Sequence, residues 1–366
     1  MTGFREQIYA SPANMRGVIK TLFLTWAGMS IALMAVIFLR GASQDQGPAI
    51  LSPDDRLGLA EVFRLKKDWG DRIWPGFAEA EIPVLLFNDN DDFLVGAEAP
   101  PLPWEAIKKD DFAGRTYYRR VHQKRTQAFA VPLGSLWAGS IGTVEFMNSG
   151  RLPLKVSLDY WAVITLHEMF HAYQAGQAPE RFKGALAVYA REGSYPFQDK
   201  PFAAAWNAEG AALAQAIGAP DRAGAERSAG EFVRLRRERR RRAALDPGLV
   251  NYERELEWLE GLAKYAEVIF YESAASKGAE EGNPVRYKPR FFIFQMDLVR
   301  LEKTLGGQAG DLRFYLSGMA QARLLDRLKP GWQKTAPMKS FCLEDLLQNV
   351  LRSGGEQAQN KVGGIK

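Results

Sequence analysis

Tyr160-Trp161-Ala162-Val163-Ile164-Thr165-Leu166-His167-Glu168-Met169-Phe170-His171-Ala172-Tyr173-Gln174 is the stretch on which the reading of this chain turns. It holds neither proline nor glycine and predicts an unbroken helix, with Ser157 or Asp159 able to start it and Gly176 able to end it. Residues four apart on a helix share a face, so His167 and His171 can reach one ion. Glu168 lies about 100° round the helix from His167, where it can address a water on an open position of that ion. Polar groups in so apolar a helix need partners, and a metal supplies one. His-Glu-x-x-His on a helix is therefore read as two metal ligands with a general base between them.

Two imidazoles do not complete a tetrahedral site. A third ligand is needed, and the fourth position stays open for water. The chain has three histidines, the remaining one being His122, and one cysteine, Cys342, so a cysteine zinc site and an intrachain disulfide are both excluded. A carboxylate is left. Two candidates share the phrase Glu-Gly-x-Ala: Glu209 in Trp206-Asn207-Ala208-Glu209-Gly210-Ala211-Ala212, and Glu260 in Trp258-Leu259-Glu260-Gly261-Leu262-Ala263. Residue physics leans towards Glu209. It sits on an apolar face with Phe202, Trp206, Leu213 and Ala216, and no cation is near it in sequence. A buried carboxylate of that kind must meet a metal or a donor. Glu260 shares a helix row with Glu253, Glu257 and Lys264, which also reads as a solvated face with an i,i+4 pair.

The pattern resembles the gluzincin group of zinc metallopeptidases, in which HExxH is followed by a glutamate ligand on a later helix. That ligand often stands in a phrase such as W-x-x-E-G-[FL]-A-x-[YF]. Glu260-Gly261-Leu262-Ala263-Lys264-Tyr265 matches its second half, though Trp258 is one residue too close; Glu209 keeps the tryptophan spacing and lacks the aromatic end. The similarity covers roughly Ser157 to Phe270. It implies His167 and His171 as ligands of Zn2+, Glu168 as general base, and Glu260 ahead of Glu209 as third ligand. The oxyanion needs a further donor, for which Tyr265 or Tyr271 is the expected residue. A peptide or protein substrate follows, held along a strand edge. The alternatives are a catalytically silent zinc-binding scaffold and a hydrolase acting on something other than a peptide.

Outside this stretch, Thr21–Leu39 (TLFLTWAGMSIALMAVIFL) carries no charge and as a helix would span about 28 Å, close to a bilayer's hydrocarbon thickness. Arg5, Arg16 and Lys20 precede it, while Arg40 and Arg56 follow among acidic residues, so the expectation is a single-pass membrane anchor with a cytoplasmic N-terminus and an extracytoplasmic body. The expected organisation is a short tail at 1–17, the anchor at 18–40, a linker at 41–55, one metallopeptidase-like domain at 56–352 and a flexible tail at 353–366. Within the domain a β-rich part at 80–150 precedes a helical part at 157–352. The predicted class is thus α+β: a transmembrane helix, a β-rich subdomain, then a mainly helical zincin-like one carrying HExxH. Helix is expected at Leu57–Lys67, and strands at Ile82–Phe87, Phe93–Val95, Arg115–Val121, Thr126–Val131 and Thr143–Met147.

Asn88-Asp89-Asn90-Asp91-Asp92 reads as a turn; the glycine and final acid of a calcium loop are missing. The arginine run Arg234, Arg236, Arg237 and Arg239 to Arg242 reads as an ion-paired or solvated helix face. A net charge of +5 on 366 residues does not argue for nucleic acid. GxSxG, GxxxxGK[ST] and GxGxxG are all absent, so serine-hydrolase and nucleotide-binding readings gain no support.

Overall fold

The computed structural model describes residues 50–124, 126–150, 155–277, 285, 287 and 291–363. Helix α1 (Pro53–Ile73) opens this part. The Ser52 hydroxyl accepts from the Asp55 amide at 3.1 Å, Pro53 occupies the first turn, and Asp54 and Asp55 complement the positive end of the helix. A six-stranded sheet follows, built from β1 (Val84–Phe87), β2 (Asp91–Val95), β3 (Glu105–Ala106), β4 (Tyr118–Val121), β5 (Phe129–Leu133) and β6 (Leu136–Gly142). Its spatial order is β3-β4-β2-β1-β6-β5. The β1–β6 pair is parallel and every other pair antiparallel. The Asn88 side chain accepts from the amides of Asn90 and Asp91, each at 2.8 Å, and so makes the β1–β2 turn.

Val84-Leu85-Leu86-Phe87 is apolar without alternation because both faces of β1 are covered. Val84 and Leu86 enter the main core, whereas Leu85 and Phe87 join a smaller cluster with Trp104 and Phe146. Leu136–Gly142 is a strand that apolar alternation does not announce, and Gly139 gives the reason. A Cβ at Gly139 would lie 2.7 Å from the Met169 amide nitrogen, so only glycine lets the helix with the two histidines rest directly on β6. The expected strand at Thr143–Met147 is instead a short helix, α2 (Val144–Met147), capped by the Thr143 hydroxyl. β5 forms one sheet edge, and its Pro132 is exposed.

The helices are α3 (Leu158–Gln177), α4 (Pro179–Ala187), α5 (Lys200–Gly218), α6 (Arg222–Arg242), α7 (Pro247–Leu256), α8 (Leu262–Lys277), α9 (Phe291–Thr304), α10 (Leu312–Leu328) and α11 (Leu343–Gly363). Ser157 is the N-cap of α3, while Gly176 lies inside its last turn and Ala178 ends it. One hydrophobic core joins sheet and helices, running from Leu59 and Leu86 through Phe170 to Phe270 and Trp332. The architecture is therefore mixed α/β, which corrects the expected α+β division.

The expected membrane anchor is also corrected. Its segment lies outside the described residues, and among the described residues no helix is long and apolar enough to cross a membrane. Even the apolar α3 carries Asp159, His167, Glu168 and His171. No described helix therefore supports the single-pass, extracytoplasmic placement inferred from Thr21–Leu39.

Candidate metal centre

Helix α3 presents His167 and His171 one turn apart, both buried. Their Nε2 atoms face each other at 3.1 Å. Glu260 Oε2 lies 3.2 Å from His171 Nε2 and 3.8 Å from His167 Nε2. Donors held at about 2.0–2.1 Å around a tetrahedral ion stand about 3.3 Å apart, so these three separations suit one ion. His167, His171 and Glu260 form a buried group that could hold a metal ion. The orphaned atom agrees: Glu260 Oε2 is buried with no hydrogen-bond partner among the described residues. A carboxylate oxygen in that state is costly unless something positive meets it.

Glu260 reaches the histidines from a π turn, Glu257–Gly261, set between α7 and α8. A π turn loosens the i→i−4 ladder and leaves carbonyls for other donors. Gln174 of α3 takes up two of them, its Nε2 donating to Trp258 O at 2.7 Å and Leu259 O at 3.2 Å. This orients the amide, so Gln174 Oε1 accepts from His171 Nδ1 at 3.0 Å. With its proton on Nδ1, His171 turns the Nε2 lone pair towards Glu260 and His167. His167 lacks such a bond: its Nδ1 has no hydrogen-bond partner among the described residues, and Glu267 Oε2 lies 3.5 Å away as a charge contact. Lys264 donates to Glu267 at 2.7 Å and pairs with Asp297 at 3.0 Å.

The buried imidazoles and carboxylates of the cluster hold one another charged. Burial pulls the His167 imidazole down, but Glu260, Glu267 and Glu168 outweigh it and lift it to about 10. Burial pushes the Glu260 carboxyl up, and the two histidines override it and hold it well below the usual carboxylate range. Glu168 is raised, first by burial, with the two histidines opposing. Its Oε2 is buried and has no hydrogen-bond partner among the described residues.

Four aromatic residues frame the cluster, none of them flagged by any motif. The Phe129 ring, from the edge strand β5, lies 4.7 Å from that of His171. The Tyr315 ring stacks on His167 at 5.9 Å, and its hydroxyl is raised first by burial and then by the nearby Glu260. The Tyr189 hydroxyl bridges Glu260 Oε1 at 3.2 Å and Asp311 Oδ2 at 3.0 Å. Tyr160, half-buried, has its hydroxyl raised by burial and then by Glu267. Gln174 and Glu267 were visible in principle, one three residues beyond His171 and the other seven beyond Glu260, on the same helix rows.

Two expected site residues stand elsewhere. Glu209 is fully buried, but Arg236 donates to its Oε2 at 3.0 Å and Arg239 to its Oε1, so both oxygens are taken by guanidinium groups and neither meets a histidine. Tyr265 donates to Asp326 Oδ2 at 2.9 Å and accepts from Gln333 at 3.0 Å. It lines a separate cavity of about 540 Å³ that contains none of His167, Glu168, His171 or Glu260. The oxyanion role expected for Tyr265 is corrected accordingly: five residues beyond Glu260 is about 140° round an ordinary helix, on another face. The Tyr271 hydroxyl donates to Asp159 at 3.1 Å. His122 is paired with Asp92 at 2.7 Å on the sheet. The arginine run is partly internal, with Arg236 and Arg239 among the largest fully buried side chains. No protein-family model, no curated protein and no solved structure matches the chain.

Proposed function

We propose that this chain is a zinc-dependent hydrolase, with a peptide as the substrate class the site suits best. The observation that carries the reading is the convergence of His167 Nε2, His171 Nε2 and Glu260 Oε2 on one point, with the unpartnered Glu168 Oε2 in the same buried cluster. Two imidazoles and one carboxylate suit zinc, which is commonly held by three protein ligands with a fourth position open. A bound zinc ion would supply Lewis acidity, acidifying a water and polarising a carbonyl.

The remaining work falls to the chain's own groups. Glu168 accepts a proton at Oε2, and burial raises its carboxyl above the usual range, which strengthens it as a base. Gln174 keeps the His171 proton on Nδ1, away from Glu260, and the Glu267 carboxylate 3.5 Å from His167 Nδ1 favours a proton on that side of the other ring. The Phe129 and Tyr315 rings shield the cluster from water. The edge strand β5, which carries Phe129, suits an extended peptide that adds as a further strand.

A metal-holding scaffold without turnover is the second reading, favoured by depth: His167, Glu168, His171 and Glu260 are each at most 6% exposed. Glu168→Gln separates the two. For a hydrolase, the variant keeps one equivalent of zinc while hydrolysis of a peptide library drops by about 10²–10⁴-fold. Zinc binding by the parent with no cleavage of any library member would favour the scaffold. A parent that takes up no zinc would end both readings.

A further inference from the structure

The π turn that delivers Glu260 is gripped on its far side by a residue that touches neither histidine. Glu257 opens that turn, and Arg236 of α6 binds its carboxylate with two prongs, at 2.9 and 2.6 Å. Ser317 of α10 donates to the same carboxylate at 2.6 Å and accepts from Arg236 at 2.9 Å. The remaining Arg236 donor, Nε, goes to Glu209 at 3.0 Å. Arg236, Glu209 and Ser317 are wholly buried. Beneath this knot a Cβ on Gly318 would lie 2.5 Å from Glu257 O, and one on Gly261 2.5 Å from Gly318 Cα, so α10 and the π turn are in backbone contact.

Stability is a weak reason for such a knot, because buried ion pairs often add little over apolar side chains of the same shape. Geometry is a better one. A planar guanidinium with two parallel bonds fixes the orientation of its partner as well as its position. Glu257 and Glu260 are three residues apart in one loosened turn. A rotation of about 20° swings a group at a helix's outer radius of about 5–6 Å by about 2 Å. That is the length of one metal–ligand bond.

We propose that Arg236 is a positioning residue for the metal centre: acting through Glu257, it sets the rotation of the π turn and hence the point to which Glu260 is delivered. The inference rests on the metal-binding reading of His167, His171 and Glu260. Arg239 supplies the internal control. It is buried on the same helix and bound to the same Glu209, but its other partner is Glu253 of α7, and no hydrogen bond of its guanidinium reaches the π turn.

Cobalt(II) is the probe, added to the full chain while its visible absorption is followed. The parent binds cobalt. Arg236→Lys weakens binding by about 10–100-fold, the range found when partners that orient ligands are lost, and alters the absorption band. Ser317→Ala, a milder change that threatens folding less, alters the band in the same direction. Arg239→Lys lowers the melting temperature comparably but keeps the parent's cobalt affinity and band. Parent-like affinity and spectrum in both Arg236→Lys and Ser317→Ala would overturn the inference. So would an Arg239→Lys variant that loses as much cobalt as Arg236→Lys, since the effect would then be general loosening. A parent that binds no cobalt would remove the metal reading itself, a result visible before any variant is made.

Discussion

Glu209 and Glu260 carry the same phrase and meet opposite fates. Each is buried, and each is followed by a glycine at a helix contact, where a Cβ would come within 2.0 Å of Leu301 O at Gly210 and 2.5 Å of Gly318 Cα at Gly261. Glu-Gly-x-Ala thus reports close helix packing in both places. What differs is the element opposite. Glu260 faces two imidazoles and keeps one oxygen without a hydrogen-bond partner among the described residues, whereas Glu209 faces two guanidinium groups that occupy both oxygens. The same buried carboxylate becomes a candidate metal ligand or an ion-pair anchor according to its neighbour.

The sharpest way to break the comparison is to neutralise each carboxylate. Glu260→Gln is expected to cost more than about 100-fold in zinc affinity, beyond the range for groups that merely orient a ligand, and to leave the fold in place. Zinc titration with a competing chelator reads this, and parent-like affinity would reverse the assignment. Glu209→Gln is expected to do the converse. It leaves Arg236 and Arg239 short of a counter-charge, which costs about 3 kcal/mol of stability, at the low end because each keeps another carboxylate. Urea unfolding measures it, and a smaller zinc effect than that of Glu260→Gln is part of the expectation.

A finer test bears on the histidine side. Gln174→Leu removes the acceptor for His171 Nδ1 and the donor to two π-turn carbonyls. Zinc affinity should fall by about 10–100-fold, and Gln174→Glu, which restores the acceptor alone, should recover part of it. Equal affinity in Gln174→Leu and the parent would show that the histidine needs no such partner.

The smallest effect concerns acid. Burial pushes the Glu253 carboxyl up, and Arg239 and Arg240 override it and hold it well below the usual carboxylate range. A depressed folded pKa stabilises fully above the unfolded value of about 4.3, and the contribution is lost as the pH falls through the folded value. Urea midpoints should therefore be level from about pH 7 to 5 as far as this group is concerned and fall below that, with a shallower fall in Arg239→Met. An unchanged acid slope in that variant would show that Glu253 is not held by Arg239.

Sequence alone made the HExxH helix legible because its pattern is local: caps, spacing and apolar content all lie within one segment. The choice between Glu209 and Glu260 was not local. Residue physics leaned to Glu209 because no cation stands near it in the chain, yet Arg236 and Arg239 arrive from the next helix, 27 and 30 residues on. Glu260 looked like part of a solvated row, but Glu253, Glu257 and Lys264 are all buried with it. The resemblance to gluzincins pointed to Glu260 through a phrase that residue physics does not weigh. β6 escaped notice because its signature residue, Gly139, is shaped by contact with α3 and not by strand propensity. Tyr189 and Tyr315 reach Glu260 through tertiary packing alone, with no motif to mark them.

The exposed proline of β5 has a consequence for the protein in concentrated solution. A bare strand edge invites a second copy of the same chain to add to the sheet and start an aggregate. Proline has no amide hydrogen, so Pro132 removes one rung from any such ladder, and the two-residue hairpin at Gly134-Ser135 ends the strand one position later. The edge that remains is short, which makes it a poor template for a fibre. Replacing Pro132 by valine would lengthen that ladder, and the colloidal stability of the protein, more than its folding, is where the change would be felt.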